Sequence, residues 1–223
     1  MKRVGIVART FKIWDRSAIY MFDNIRRICF MNNCIPIMII PPQIVDYYEY
    51  SGSEIGLLTE TEIKYLESII DECDGIIIPG GDRWYKYDEV IYNYALEKDM
   101  PLLAICMGMQ LMVTMDSGCR PIKINDDSHY KKNTDYVHSV SIDKNSKLYG
   151  IIGKDSLRVN SYHNFYVDKV SKLKVIARSN EGYIEGVEMP NKKFVVGLQW
   201  HPEIMYDYDL DNQKIMNEFF KNL

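Results

Sequence analysis

A chain of 223 residues with 47% hydrophobic content and a net charge of −4 can bury one sizeable core, and its mildly acidic balance speaks against a nucleic-acid partner, which needs a basic face. No stretch approaches the roughly 20 apolar residues that span a bilayer. The short apolar run after Lys2-Arg3 is too brief for a secretory signal, so no membrane role is expected. Five cysteines (Cys29, Cys34, Cys73, Cys106, Cys119) form an odd set without paired spacing, which suits reduced thiols in a cytoplasm. Cys29 and Cys34 have half the spacing of a metal site, but no second Cys/His cluster completes it. They read as core residues, and neither a metal nor a cofactor is expected.

In chain order, Val4 to Ala8 reads as a buried strand. Ser17 to Met31 has apolar residues at helical spacing (Ile19, Phe22, Ile25, Cys29), closed by Asn32-Asn33. Ile35 to Ile40 is a second strand, stopped by Pro41-Pro42. Gln43 to Thr59, with Tyr47, Tyr48 and Tyr50, reads as a surface loop and a candidate lid. A helix opens at Thr61 or Glu62 and runs through Ile70. Gly75 to Ile78 is a third strand, ending in Pro79-Gly-Gly-Asp82, and Tyr87 to Lys98 is an amphipathic helix. Leu102 to Ile105 is a fourth strand, and Met107 onward is helical. Strands and helices alternating at this pace imply a parallel sheet.

Past Gly118 the pattern becomes short alternating strands: Arg120 to Asn125, Tyr136 to Ile142, Ser156 to Val159, Leu173 to Ser179, Gly182 to Glu188 and Lys193 to Trp200. A helical turn lies near Ser146 to Gly150, and Asp209 to Leu223 closes the chain as an amphipathic helix. No linker or repeat interrupts it, so residues 1–223 read as one domain. The expected architecture is α/β: a mostly parallel central sheet flanked by helices, with an added antiparallel portion in the C-terminal half.

A strand that ends on Cys106 and turns at once into a helix is a nucleophile elbow. The small flanks Ala104 and Gly108 allow the tight turn. The helix N-terminus then faces the sulfur and favours negative charge there. In open α/β sheets ligands gather beyond the carboxyl ends of the strands, where both Gly80-Gly81 and Cys106 fall. The glycine N–H groups, with that of Met107, could receive an oxyanion. Near the last strand end stands Gly197-Leu-Gln-Trp-His-Pro-Glu203. Read as extended backbone, it projects His201 and Glu203 to the same side. A histidine oriented by a carboxylate is the base that a cysteine nucleophile needs.

Ile105-Cys-Met-Gly-Met-Gln110, Pro79-Gly-Gly-Asp82, Val159-Asn-Ser-Tyr-His163 and Gln199-Trp-His-Pro-Glu203 together resemble the class I glutamine amidotransferase superfamily. The likeness is to the peptidase C26 branch that includes γ-glutamyl-γ-aminobutyrate hydrolase, and it runs from Val4 to Glu203. It implies a flavodoxin-like fold, Cys106 as nucleophile, His201 as base and Glu203 as its orienter. Gly80, Gly81 and Met107 would form the oxyanion hole. Gln110, Asn160, Ser161, Tyr162 and His163 would bind substrate, while His129 and His138 are read as structural. Two positions depart from the branch: Met107 stands where arginine is usual, and Asn164-Phe165 where histidine and glutamine commonly follow. The implied reaction is cysteine-dependent hydrolysis of a small γ-glutamyl amide through a thioester, with Asn164, Phe165 and Tyr166 expected near the leaving amine. The alternatives are a glutaminase subunit feeding ammonia to a separate synthetase, and a catalytically silent scaffold. A synthetase partner and a homodimer stay open.

Overall fold

In a computed structural model, residues 1–47, 55–132 and 134–223 are described. The N-terminal part comprises β1 (Lys2–Val7), β2 (Arg9–Ile13), β3 (Arg16–Tyr20), α1 (Asp23–Met31), β4 (Cys34–Ile39), α2 (Glu60–Ile70), β5 (Gly75–Ile78), α3 (Lys86–Glu97), β6 (Leu102–Ile105) and α4 (Met107–Ser117). Then follow β7 (Ile122–Lys123), β8 (His138–Ile142), α5 (Lys147–Ile152), β9 (Ser156–Val159), β10 (Phe165–Tyr166), β11 (Lys174–Ser179), β12 (Ile184–Glu188), β13 (Val195–Leu198), α6 (Pro202–Met205) and α7 (Leu210–Lys221). A nine-stranded sheet runs β4-β1-β5-β6-β13-β12-β11-β8-β9. The pairs from β4 to β13 are parallel, and those from β13 to β9 are antiparallel. The expected α/β architecture with an antiparallel C-terminal extension is therefore observed.

Parallel strands covered on both faces must be apolar at every position, which is why β5 and β6 are continuous Ile and Leu-rich runs. Their side chains alternate between two cores. Ile77, Leu103 and Ile105 pack in one core with Ile25 of α1 and Ile215 and Phe219 of α7. Ile76, Ile78 and Leu102 pack in the other with Leu66 of α2, Ile91 of α3 and Met109 of α4. Among the described residues, no helix is long and apolar enough to cross a membrane.

Three sequence expectations are corrected. The helix expected from Ser17 begins at Asp23, and residues ahead of it form the hairpin β2–β3. Its aromatic and β-branched residues favour strand pairing. Phe11 and Tyr20 meet edge-to-face at 5.0 Å, and the turn is made by Trp14 at φ 54. The second helix starts a turn-fraction earlier than expected because Thr59 and Glu62 form a reciprocal capping box. The strand expected over Arg120 to Asn125 shrinks to two residues paired with β10. Of the candidate lid, Tyr48 and Tyr50 lie outside the described residues.

Candidate active site

The adjacent parallel strands β5, β6 and β13 end at one edge of the sheet, and each leads into a segment that bears part of the candidate site. After β6 the chain turns through Cys106 with φ 52 and ψ −108, a region that non-glycine residues enter only at a cost of about 1–3 kcal/mol. Its N–H donates to the Leu198 carbonyl at 2.7 Å, and its carbonyl receives the Gln110 N–H of α4 at 3.1 Å. The turn requires glycine at 108: a Cβ there would lie 2.3 Å from the Ile78 carbonyl oxygen. Glycine is equally required at 80, where a Cβ would lie 2.8 Å from His201 Cε1 and 3.4 Å from Cys106 Cβ. Gly80 therefore lies directly against both groups of the prospective chemistry: the imidazole and the base of the thiol side chain.

His201 and Glu203 do meet, but by a different route from the one expected. β13 has already ended at Leu198. His201 is the N-cap of the short helix α6, Pro202 opens that helix, and Glu203 lies in its first turn. Proline is favoured at that first position because its missing N–H has no helical partner there. The turn brings His201 Nδ1 to 2.7 Å from Glu203 Oε1, and the imidazole faces the same cleft as the Cys106 side chain, both lying against Gly80. Burial opposes charge on His201, yet Glu203 and then Cys106 hold its pKa well above the ordinary imidazole value. A carboxylate on Nδ1 leaves Nε2 to exchange a proton with the sulfur.

The other predicted residues divide. Asn160 clamps the His201 backbone in both directions: its Nδ2 donates to the His201 carbonyl, and its Oδ1 receives the His201 N–H, each at 2.9 Å. Ser161 Oγ donates to the His129 carbonyl at 2.6 Å. Gln110 Nε2 donates to the Phe165 carbonyl at 3.0 Å and to Gln199 Oε1 at 3.1 Å. His163 is buried beside His129. Only Tyr162 of these five lines the cleft, a cavity of about 550 Å³ that also exposes Cys106, His201, Gly80 and Gly81. Its aromatic wall is formed by Phe11, Tyr20 and Phe22 with Tyr47, Tyr85 and Tyr130. Asn164, Phe165 and Tyr166 are absent from that lining. β10 pairs with β7 instead, and Tyr166 stacks on Tyr183 at 4.2 Å.

Sequence reasoning missed Arg9. Its Nε donates to the Gly80 carbonyl at 3.0 Å and Nη2 to the Pro79 carbonyl at 2.7 Å, while Nη1 pairs with Asp88 at 2.6 Å. Arg9 and Asp88 are both buried, and breaking such a pair by removing one partner typically costs about 3–5 kcal/mol. The guanidinium thus fixes the carbonyls, and with them the peptide planes, of the glycine turn. A cation immediately after a wholly apolar strand was the available signal.

Limiting iodoacetamide is expected to modify Cys106 before the other cysteines, with activity lost in step. Burial pushes the Cys29 thiol up to about 12 and the Cys73 thiol up to about 11, and raises Cys34 as well. Cys106 opens onto the cleft. Peptide mapping that finds another cysteine modified first, with activity retained, rules out Cys106 as the nucleophile.

A family model described as Peptidase C26 matches residues 82–203, more than half of the chain. The γ-glutamyl-γ-aminobutyrate hydrolase PuuD of Escherichia coli is 30% identical over 174 residues, covering 64% of this chain and 68% of that protein. A CTP synthase of Porphyromonas gingivalis is 29% identical over 191 residues, covering 69% of this chain but 35% of the synthase. Among solved structures, the glutaminase domain of Trypanosoma brucei CTPS with bound acivicin superposes with a TM-score of 0.68 at 17% identity, covering 100% of this chain and 93% of that one; at that identity the likeness speaks for the fold.

Proposed function

Because this chain belongs to the peptidase C26 family of glutamine amidotransferase-type amidohydrolases, we propose that it hydrolyses the γ-amide bond of a small γ-glutamyl compound through a thioester on Cys106. The observation that carries this reading is the single imidazole of His201, held by Glu203 at 2.7 Å and set beside Cys106 against Gly80 in one cleft. Cys106 Sγ, its proton already held on His201 Nε2, attacks the γ-carbonyl carbon. The resulting oxyanion is received by the N–H of Met107, free as a first-turn donor, and by that of Gly80 or Gly81. His201 returns the proton to the amine nitrogen, the C–N bond breaks and the acyl group remains on sulfur. Water then attacks the thioester and gives a proton to His201, and Sγ recovers that proton as the acid leaves. One amide and one water become one carboxylic acid and one amine.

The cleft supports a substrate with a sizeable amine. Its wall of Phe11, Tyr20 and Phe22 suits methylene groups better than ammonia, and Asp82 and Arg83 on the lining complement the α-ammonium and α-carboxylate of a glutamyl head. Contacts to the remote amine position the carbonyl at Cys106 and so raise kcat/KM. The purified chain alone is therefore expected to cleave γ-glutamyl amides of extended amines at higher kcat/KM than glutamine. Phe11→Ala should narrow that preference by about tenfold, the scale of losing an apolar pocket contact, while sparing glutamine. The CTP synthase match favours a second reading, a glutaminase that serves a synthetase. Glutamine as the best substrate, with turnover rising only when such a partner is added, would establish that reading instead.

A further inference from the structure

Three of the four histidines in the chain converge on one carboxylate away from Cys106. His129 comes from the irregular segment ahead of β8, His138 opens β8, His163 follows β9, and Glu185 lies in β12. The side chains of His129, His163 and Glu185 are 1%, 2% and 0% exposed, and that of His138 is 10% exposed. Glu185 Oε1 lies 3.5 Å from His129 Nδ1, 3.6 Å from His138 Nε2 and 3.5 Å from His163 Nε2. His129 Nδ1 and His163 Nε2 are 3.3 Å apart, and the ligating atoms of His129, His138 and Glu185 all lie within 4.8 Å of one another.

Proton positions make this convergence unusual. His163 Nδ1 lies 2.9 Å from the Phe165 carbonyl, which can only accept, so the ring donates there. His129 Nε2 faces the Glu181 carboxylate at 3.4 Å. With Nε2 directed at that carboxylate, His129 turns Nδ1 toward His163 and Glu185. His129 Nδ1, His163 Nε2 and Glu185 Oε1 then present lone pairs to one another. Among the described residues, both oxygens of Glu185 and both ring nitrogens of His138 lack a hydrogen-bond partner. Buried polar atoms are almost always satisfied. A cation at the convergence point satisfies the Glu185 carboxylate and one ring nitrogen of His138 together. Zinc bonds of about 2.0–2.1 Å at tetrahedral angles separate ligand atoms by roughly 3.3–3.4 Å, close to the distances seen here.

We propose that His129, His138 and Glu185, joined by His163, bind a divalent transition-metal ion of the zinc type. The outward contact of His129 with Glu181 and the hydrogen bond from His163 to the Phe165 carbonyl are the outer contacts that orient metal-bound imidazoles. The ion ties the segments carrying His129 and His163 to β12. Those segments also pair through an isolated bridge between Tyr130 and Tyr162, both of which line the cleft, and Asn160 beside them holds the His201 backbone. The ion's role is to position the cleft wall. It takes no part in the chemistry at Cys106, so this inference stands or falls separately from the proposed reaction.

The test uses the full chain without a histidine tag, in a Cys106→Ala background that removes the sulfur beside His201 as a competing zinc ligand. The protein is stripped with a chelator and titrated with Zn2+. The expected result is one equivalent bound per chain by elemental analysis, a rise in melting temperature, and nitrogen and oxygen ligands without sulfur by X-ray absorption. Glu185→Gln and His138→Gln should each weaken zinc binding by at least about tenfold. Should Glu185→Gln not fold, His138→Gln at the more open edge carries the comparison. A stripped chain that takes up no zinc, with a melting temperature indifferent to zinc and chelator, overturns the proposal and leaves a proton shared among the imidazoles. Full-affinity binding in both variants overturns it equally.

Discussion

Cys106→Ala is expected to lower turnover of every γ-glutamyl amide by at least about 10⁴-fold while far-UV circular dichroism and melting temperature stay close to those of the parent. The thiol carries the covalent step, so its loss leaves only binding and the oxyanion donors to accelerate attack by water. The fold has little reason to respond. Alanine keeps the N–H that donates to the Leu198 carbonyl and the carbonyl that receives the Gln110 N–H. It also meets the positive φ of 52 at about the same cost as cysteine. Activity reduced only tenfold, or a chain that melts many degrees lower, would make Cys106 a packing residue. Gly108 gives the contrast: any side chain there meets the Ile78 backbone oxygen, so its replacement strikes the turn itself.

His201→Ala is expected to cost about 10⁴-fold or more, because the same nitrogen accepts the thiol proton and delivers it to the amine. Glu203→Gln keeps the shape but loses the charge that supports the imidazolium, and a loss of about 10²–10⁴-fold is expected. Residues acting as a unit are not additive, so the double variant should be little worse than His201→Ala alone. Additive losses in steady-state kinetics would make Glu203 structural only. The pH dependence has a definite sign. Folded His201 holds its proton more tightly than the unfolded chain does, against the opposition of burial and chiefly through Glu203. The stability from this proton is complete below about pH 6.5, the unfolded value, and is lost as pH rises through the folded value. Relative to Glu203→Gln, the parent's advantage from this source should therefore be largest on the acid side and fade with alkalinity. Histidine NMR titration of both chains checks it, and an unchanged His201 titration in the variant would remove Glu203 from the argument.

Local pattern alone determined the parallel half of this protein. Four-residue apolar runs at 75–78 and 102–105, bounded by turn residues, read as strands covered on both faces, and small residues beside Cys106 permit a turn that larger ones would block. The glycine pair at a strand end and the His-Pro-Glu segment were legible for the same reason, since each is a feature of a few consecutive residues. The hairpin at 9–20 was misread because Ile19, at helical spacing from Phe22 and Ile25, extends the pattern of α1 back into the second strand of the hairpin. The ring contact of Phe11 with Tyr20 across the hairpin settles that choice, and helical spacing carries no sign of it. The contact between His201 and Glu203 was foreseen, but its cause was not: the chain had left the sheet, and the first turn of α6 joins them. Only the tertiary structure set Arg9 against the glycine turn, built the cleft wall from the β2–β3 hairpin rather than from residues 164–166, and gathered three histidines around Glu185. Each of these joins segments tens of residues apart, and such contacts depend on strand order. Spacing along the chain records which residues share a face; it carries no record of which face, folded back from far away, will lie against it.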